Sequence, residues 1–377
     1  MSKNAKPKSA VAPQGKQNTS TKGTSKEQKK QPRKSSVIKQ CMGLDIAKDE
    51  IQICFRESLS DGSMRIRAQK KVANTKIGWN MIDTSIRKNL KADAPQGFLV
   101  VMEATGVYHE NVCFFLNSQG YPISVSLPND AKCYIKSLGQ KSKNDKIDAQ
   151  ALAQMGLERQ LHLWTAPSAN VLRIKHLTRE RQLLIEEQTG IKNQLHAFEH
   201  GYEVSKDARK RFELRLKLLA KQIKEIDELL TQAVESDNDL KTKVERICTI
   251  KGFGIISAII LIAETNGFAN FDNRAQLTSY AGYDVVENQS GNRAGKARIS
   301  KRGNGHIRRC LHFPALSAIR HDDNMKQLYE RVFDRTKIKM KACVAVQRKM
   351  LLLAYALCKN ETNFDPQYKQ KIAANAN

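Results

Sequence analysis

Five consecutive apolar residues, Phe98-Leu99-Val100-Val101-Met102, constrain this chain more than any other stretch. The run is short and shows no alternation, as expected of a strand buried on both faces. Such a strand needs neighbours at its sides and layers above and below, so the surrounding chain must fold as layered α/β structure. The flanking segments supply the parts. Cys41-Met42-Gly43-Leu44-Asp45-Ile46 reads as a second buried strand, Ile51-Gln52-Ile53-Cys54-Phe55 alternates as its hairpin partner would, and Met64 to Val72 gives a third strand. Ile77, Met81, Ile82, Ile86 and Leu90 recur at helical spacing before the central run. After it come a helix from Glu110 to Ser118, a short strand from Ile123 to Ser126, and helices near Asp130 to Ser137 and Lys146 to Leu157.

Beyond Pro167 the pattern becomes long and helical. Leu177, Leu184, Ile191 and Phe198 lie seven apart, and after a break near Gly201 a second register holds Leu216, Leu219, Ile223, Ile226 and Leu230. Two long helices are predicted, suited to dimerisation, to bracing a large nucleic acid, or simply to joining two domains. A further unit opens near Ile247 with Ile250-Lys251-Gly252-Phe253-Gly254-Ile255, glycines between apolar segments as in a helix-hairpin-helix turn, whose backbone amides can hold a phosphate. The expected division is a disordered basic arm over 1–36, a layered domain over 37–166, a long helical, coiled-coil segment over 167–240, a mostly helical C-terminal domain over 241–360 and a tail over 361–377.

Charge narrows the partners. The chain carries 64 Lys and Arg against 38 Asp and Glu, a formal net charge of +26, so a polyanion, nucleic acid first, is expected. A membrane surface competes for such charge, but the longest apolar run, Ile255 to Ala263, is far short of the ~20 residues that span a bilayer. The lysine-rich start has no apolar core and no cleavage site, which predicts a cytoplasmic protein. Eight cysteines without a CxxC pair suggest neither a zinc site nor disulfides, and read as reduced thiols, mostly in the core.

Four carboxylates fall where chemistry is expected. Asp45 and Glu103 stand where two apolar runs stop, and Asp145 and Asp148 share one face at the start of a helix. Phosphodiester chemistry uses such clusters because paired divalent cations stabilise both the attacking and the leaving oxygen. Hard oxygen ligands favour Mg2+, with Mn2+ an alternative. Singly, Asp45 can equally end a strand, Glu103 be a solvated acid, and Asp145 and Asp148 complement a helix dipole. Farther on, Leu277-Thr278-Ser279-Tyr280-Ala281-Gly282 leads to Ser290-Gly291 and then to Gly295-Lys296-Ala297-Arg298-Ile299-Ser300-Lys301-Arg302-Gly303-Asn304. This is a glycine-rich basic loop in which Lys296, Arg298, Lys301, Arg302, Arg308 and Arg309 offer phosphate contacts. Ser-Gly is also an ordinary turn signal.

Gly43-Leu44-Asp45-Ile46-Ala47-Lys48, Glu103-Ala104-Thr105-Gly106 and Lys143-Asn144-Asp145-Lys146-Ile147-Asp148-Ala149 resemble the three signature blocks of the DEDD transposases of bacterial insertion sequences, the insertion sequence 110 family. The resemblance runs from about Val37 to Cys358. It implies a RuvC-like, RNase H-type domain that binds magnesium through Asp45, Glu103, Asp145 and Asp148, and a transposase that cuts and rejoins DNA. It further implies that Ser290 is a nucleophile holding one DNA end as a phosphoserine link; Ser300 is the nearest rival nucleophile but fits better as a phosphate contact. Implied partners are donor and target DNA, a non-coding bridge RNA that pairs with both, and further copies of the chain in a dimer or tetramer. Lys251 stands where many relatives have proline, and Asp284-Val285 replaces small or proline residues before the serine loop. Two other readings compete: a metal-only junction endonuclease of the same fold, and a non-catalytic nucleic-acid-binding protein.

Overall fold

The apolar run becomes the middle of a sheet. In the computed structural model, which describes residues 36–91, 94–139, 144–203, 205–287, 289–290, 293–295 and 298–365, the first part of the chain is β1 (Val37–Ile46), β2 (Glu50–Leu59), β3 (Met64–Ala73), α1 (Lys76–Asn89), β4 (Phe98–Glu103), α2 (Glu110–Ser118), β5 (Ile123–Ser126), α3 (Pro128–Ser137) and α4 (Asp145–Glu158). The expected basic arm up to residue 35 and the end of the tail lie outside the described residues.

The five strands form one sheet in the order β3-β2-β1-β4-β5. β1, β2 and β3 pair antiparallel, while β4 lies parallel to β1 and β5 parallel to β4. Alternation along β1 and β4 divides their side chains between two cores. Met42, Leu44, Val100 and Met102 pack with Ile82 and Ile86 of α1 and with Val112 and Leu116 of α2. Cys41, Leu99 and Val101 pack on the other face with Leu152 and Leu157 of α4. The sheet is thus covered on both sides, as its apolar centre requires.

The seven-residue stripe finds its partner within the chain. α5 (Ala169–Glu199) and α6 (Lys206–Glu235) are 31 and 30 residues long, roughly 45 Å each. Ile191 is buried in the hairpin they form, Phe198 meets Phe212 with ring centroids 5.8 Å apart, and Arg181 pairs with Asp227 at 2.5 Å. Near the base of the hairpin, Val171, Ile174, Ile226 and Leu230 merge with a second large core that continues to Cys358.

That core is built from α7 (Asn238–Cys248), α8 (Ile255–Thr265), α9 (Arg274–Tyr280), the two-residue strands β6 (Val285–Val286), β7 (Gln289–Ser290), β8 (Arg293–Ala294) and β9 (Arg298–Ile299), then α10 (Gly305–Cys310), α11 (His312–His321), α12 (Asp323–Thr336) and α13 (Lys339–Asn360). The apolar run Ile255 to Ala263 is the buried helix α8, with Ala258, Ile259, Leu261 and Ile262 inside. Helices α7 and α8 flank the glycine turn, and Gly252 (φ +102°) faces inward: a Cβ there would meet Pro314 O at 2.5 Å. Among the described residues, no helix is long and apolar enough to cross a membrane. All eight cysteines are free, and five of them are buried.

Candidate active site

Register decides what Asp45 and Glu103 share. Leu44 pairs with Met102 at the end of the parallel β1/β4 ladder, and Asp45 and Glu103 are the residues that follow, at the C-terminal ends of these adjacent strands. Leu44 and Met102 point into the core under α1 and α2. By alternation the two acids project to the opposite face, the one covered by α4.

Helix α4 reaches that face because Gly43 has no side chain: a Cβ there would collide with Ala149 O and Ala153 N. Toward the other end of the helix, a Cβ on Gly156 would strike Cys41 Sγ and lie 2.8 Å from Val101 Cγ2. The helix therefore runs antiparallel to β1 and delivers its first turn to the acid-bearing edge. That turn carries Asp145 and Asp148, which suit the positive end of the helix dipole, and Asn144 caps it by accepting from Ile147 N at 2.9 Å. Side chains lash the helix in place. Gln69 donates to Lys146 O at 3.2 Å, and Arg56 donates to Gln154 Oε1 at 2.7 Å. Asp45, Glu103 and Asp148 are half-buried and Asp145 is exposed. The donors are the hard oxygens that magnesium or manganese prefers, although among the described residues no three His, Cys, Asp or Glu side chains already stand close enough to hold an ion.

Beside this edge opens a cavity of ≈ 570 Å³ lined by Ala104 and His109 after β4, Lys175 and Arg179 of α5, Glu264 of α8 and Tyr280 of α9. Burial pushes the His109 imidazole below its usual pKa, with Lys175 acting in the same direction and Glu110 opposing. Across the cavity Arg179 forks onto Glu264 at 2.9 and 3.1 Å, and Asn304 donates to the same carboxylate at 2.7 Å. Burial alone would raise the Glu264 carboxyl, but these donors hold it below its ordinary value. This cluster is not legible in the sequence, because a single acid closing an apolar helix does not reveal a partner 85 residues away.

Asn304 also marks one foot of the serine-bearing ribbon. Ser290 lies in β7 opposite Arg293, and the outer rungs pair Val285 with Ile299 and Val286 with Arg298. At the base, Lys301 N donates to Gly282 O at 3.1 Å, Ser300 N to Asp284 O at 2.8 Å and Asn304 N to Tyr280 O at 2.7 Å. Arg308 spans both feet, donating to Ala281 O at 2.7 Å and to Lys301 O at 3.3 Å. Arg309 pairs with Glu186 of α5. Arg298, Lys301 and Arg302 are exposed, and Lys296 lies outside the described residues. Ser300 Oγ accepts from Arg302 N at 3.3 Å within the turn.

Two family models match the chain in order. One, described as "Transposase", covers residues 42–201, including all four acids, and the other, described as "Transposase IS116/IS110/IS902 family", covers residues 244–330, including Ser290. The chain belongs to the IS110 family of DEDD transposases. A pilin gene-inverting protein of Moraxella bovis is 26% identical over 272 residues, 71% of this chain and 81% of that protein. The transposase for insertion sequence element IS1111A of Coxiella burnetii is 24% identical over 367 residues, covering 89% of this chain and 94% of its own length. The enzyme is accordingly a DNA transposase or recombinase. Among solved structures, Thermus thermophilus RuvC matches 30% of this chain and 90% of its own at 16% identity with a TM-score of 0.24.

Proposed function

We propose that this transposase cuts and rejoins DNA with two centres: Asp45, Glu103, Asp145 and Asp148 holding divalent ions on a RuvC-like, RNase H-type sheet, and Ser290 as nucleophile. The observation that carries the reading is the end of the β1/β4 ladder, from which Asp45 and Glu103 emerge on adjacent strands, on the face where α4, with Asp145 and Asp148 in its first turn, packs against Gly43. Bound there, Mg2+ or Mn2+ supplies the positive charge that a phosphate needs as its own negative charge grows.

Ser290 Oγ bonds to the scissile phosphorus while the bond from phosphorus to the leaving sugar oxygen breaks. That oxygen leaves as a hydroxyl after taking up a proton, and the serine's proton passes to solvent. A hydroxyl of the second DNA end then attacks the phosphoserine, restoring a phosphodiester and freeing the serine, so no nucleotide hydrolysis is needed. Rejoining fits the relative whose name is gene inversion. Lys296, Arg298, Lys301 and Arg302 contact phosphates along the ribbon. Arg308 holds the ribbon's feet from within, and Arg309 flanks them through its pairing with Glu186.

The excess charge of +26 fits two nucleic acids at once, DNA and a bridge RNA that selects donor and target sites by base pairing. The protein acts in the bacterial cytoplasm as a homo-oligomer. The test is recombination by purified protein with Mg2+, RNA transcribed from the flanks of its gene, and donor and target DNA, beside Ser290→Ala and Asp145→Ala. Joined product and a denaturation-resistant protein–DNA adduct, both lost in Ser290→Ala, are expected. Nicking that needs Asp145 but not Ser290 overturns the serine and leaves a metal-only nuclease.

A further inference from the structure

Beyond the ends of their strands, the backbones that carry Asp45 and Glu103 are joined by a carboxamide. Asn74 Nδ2 donates to Ala47 O at 3.0 Å and to Tyr108 O at 3.1 Å. Ala47 lies just past Asp45, and Tyr108 lies in the loop that follows Glu103, each where the sheet ladder has stopped. An asparagine amide has two N–H donors, so each of these loops takes one.

The amide is itself fixed. Trp79 Nε1 donates to Asn74 Oδ1 at 2.9 Å, and Asn74 N donates to Asp49 O at 2.9 Å. A Cβ on Gly78 would collide with Ala73 O, so the first turn of α1 lies against the end of β3. An Asn-Thr pair before a helix would ordinarily read as a cap. Here Thr75 is the cap, accepting from Gly78 N, and Asn74 is left to hold the two loops.

We infer that Asn74 is a positioning residue that sets the spacing of the Asp45 and Glu103 loops, and with it the affinity of the acidic centre for divalent ions. The inference rests on the proposed role of those acids. Partners that orient ligands from behind typically change metal affinity 10–100-fold when lost.

Full-length protein, Asn74→Ala, Trp79→Phe and Asp45→Asn would be compared by Mn2+ binding, followed as loss of the free-ion EPR signal, and by hydrogen exchange of the metal-free protein in peptides spanning 45–49 and 104–109. Asn74→Ala is expected to speed exchange in both peptides and to weaken Mn2+ binding about tenfold. Trp79→Phe leaves the carboxamide but frees it to turn, and is expected to weaken binding about threefold; it also serves if Asn74→Ala fails to fold. Loss of Mn2+ binding in Asp45→Asn with wild-type binding and exchange in Asn74→Ala and Trp79→Phe overturns the positioning role alone. Wild-type Mn2+ binding in Asp45→Asn overturns the acidic centre, and the inference with it.

Discussion

Asp45 and Glu103 follow strand residues that are fully buried, Leu44 and Met102, whereas Ser290 lies in a ribbon of two-residue strands whose Val285 and Val286 are 57% and 43% exposed. The acids inherit their placement from a close-packed interior, which transmits small displacements rather than absorbing them. On the described rungs Val285, Val286 and Arg298 are exposed and Ile299 packs against the C-terminal core, and an isolated two-stranded hairpin is marginal in water. Its placement comes from its feet, through Gly282, Asn304 and the guanidinium of Arg308. The acid-bearing edge is therefore set by volume and the ribbon largely by hydrogen bonds, and the two should fail in different ways.

Gly43→Ala should have the largest effect. The added methyl meets backbone of α4 on the acid-bearing face, and backbone cannot rotate away as a side chain can. Overpacking of this kind costs about 1–3 kcal/mol. A shift of α4 by even ~1 Å should reduce DNA cleavage about 100-fold, while hydrogen exchange in the ribbon stays at the wild-type rate. A Gly43→Ala protein with normal cleavage would show that α4 does not set the acids.

Glu264→Gln tests the ribbon's side of the comparison. It weakens the Arg179 fork and the Asn304 contact without touching the sheet, and Arg179 is 40% exposed, so solvent screens part of the pair. A loss of about 1–2 kcal/mol at neutral pH is expected. The pH dependence has a definite sign. A carboxyl held below its unfolded value stabilises the fold fully above that value and loses its contribution as pH falls through the folded one. Because the Glu264 carboxyl is held below 4.5, the gap between wild type and Glu264→Gln should close as pH falls below 4.5. Thermal melts at graded pH measure it, and a gap independent of pH would remove the ionised pair from the anchor.

The same contrast explains how much could be read in advance. The strands were legible because Phe98 to Met102 and Cys41 to Ile46 are apolar runs that only a covered sheet can bury, and Asp45 and Glu103 were legible because the runs stop at them. The long helices followed from the spacing of Leu177, Leu184, Ile191 and Phe198. What stayed hidden depends on contacts between distant segments. Gly43 looks like one more small residue in a strand, and only the approach of α4 shows why it has no side chain. Arg308 reads as one more phosphate contact among neighbours, and nothing in its spacing reveals that carbonyls of the same loop already occupy it. Asn74 hides behind Thr75, since either residue suits a helix cap.

Arg308→Ala should come next in size. It removes the donor shared by Ala281 O and Lys301 O; Ala281 is buried, but Lys301 is exposed, so water can replace the donor there. A loss of about 1 kcal/mol and exchange about tenfold faster across 283–303 are expected, with Mn2+ binding unchanged. Altered Mn2+ binding would mean that the ribbon and the acid-bearing edge are mechanically coupled rather than held independently.

Val285→Thr and Val286→Thr should be nearly silent. A surface substitution away from caps, cores and buried pairs changes stability by less than about 0.5 kcal/mol, and threonine keeps the β-branched shape that suits a strand. If the ribbon owes its place to its feet, replacing a methyl by a hydroxyl on its exposed rungs should leave both the melting temperature and the exchange rate of 283–303 where they were. A loss above about 1 kcal/mol would instead require the valines to rest on the body of the protein. Ser290 would then be held by packing, as Asp45 and Glu103 are.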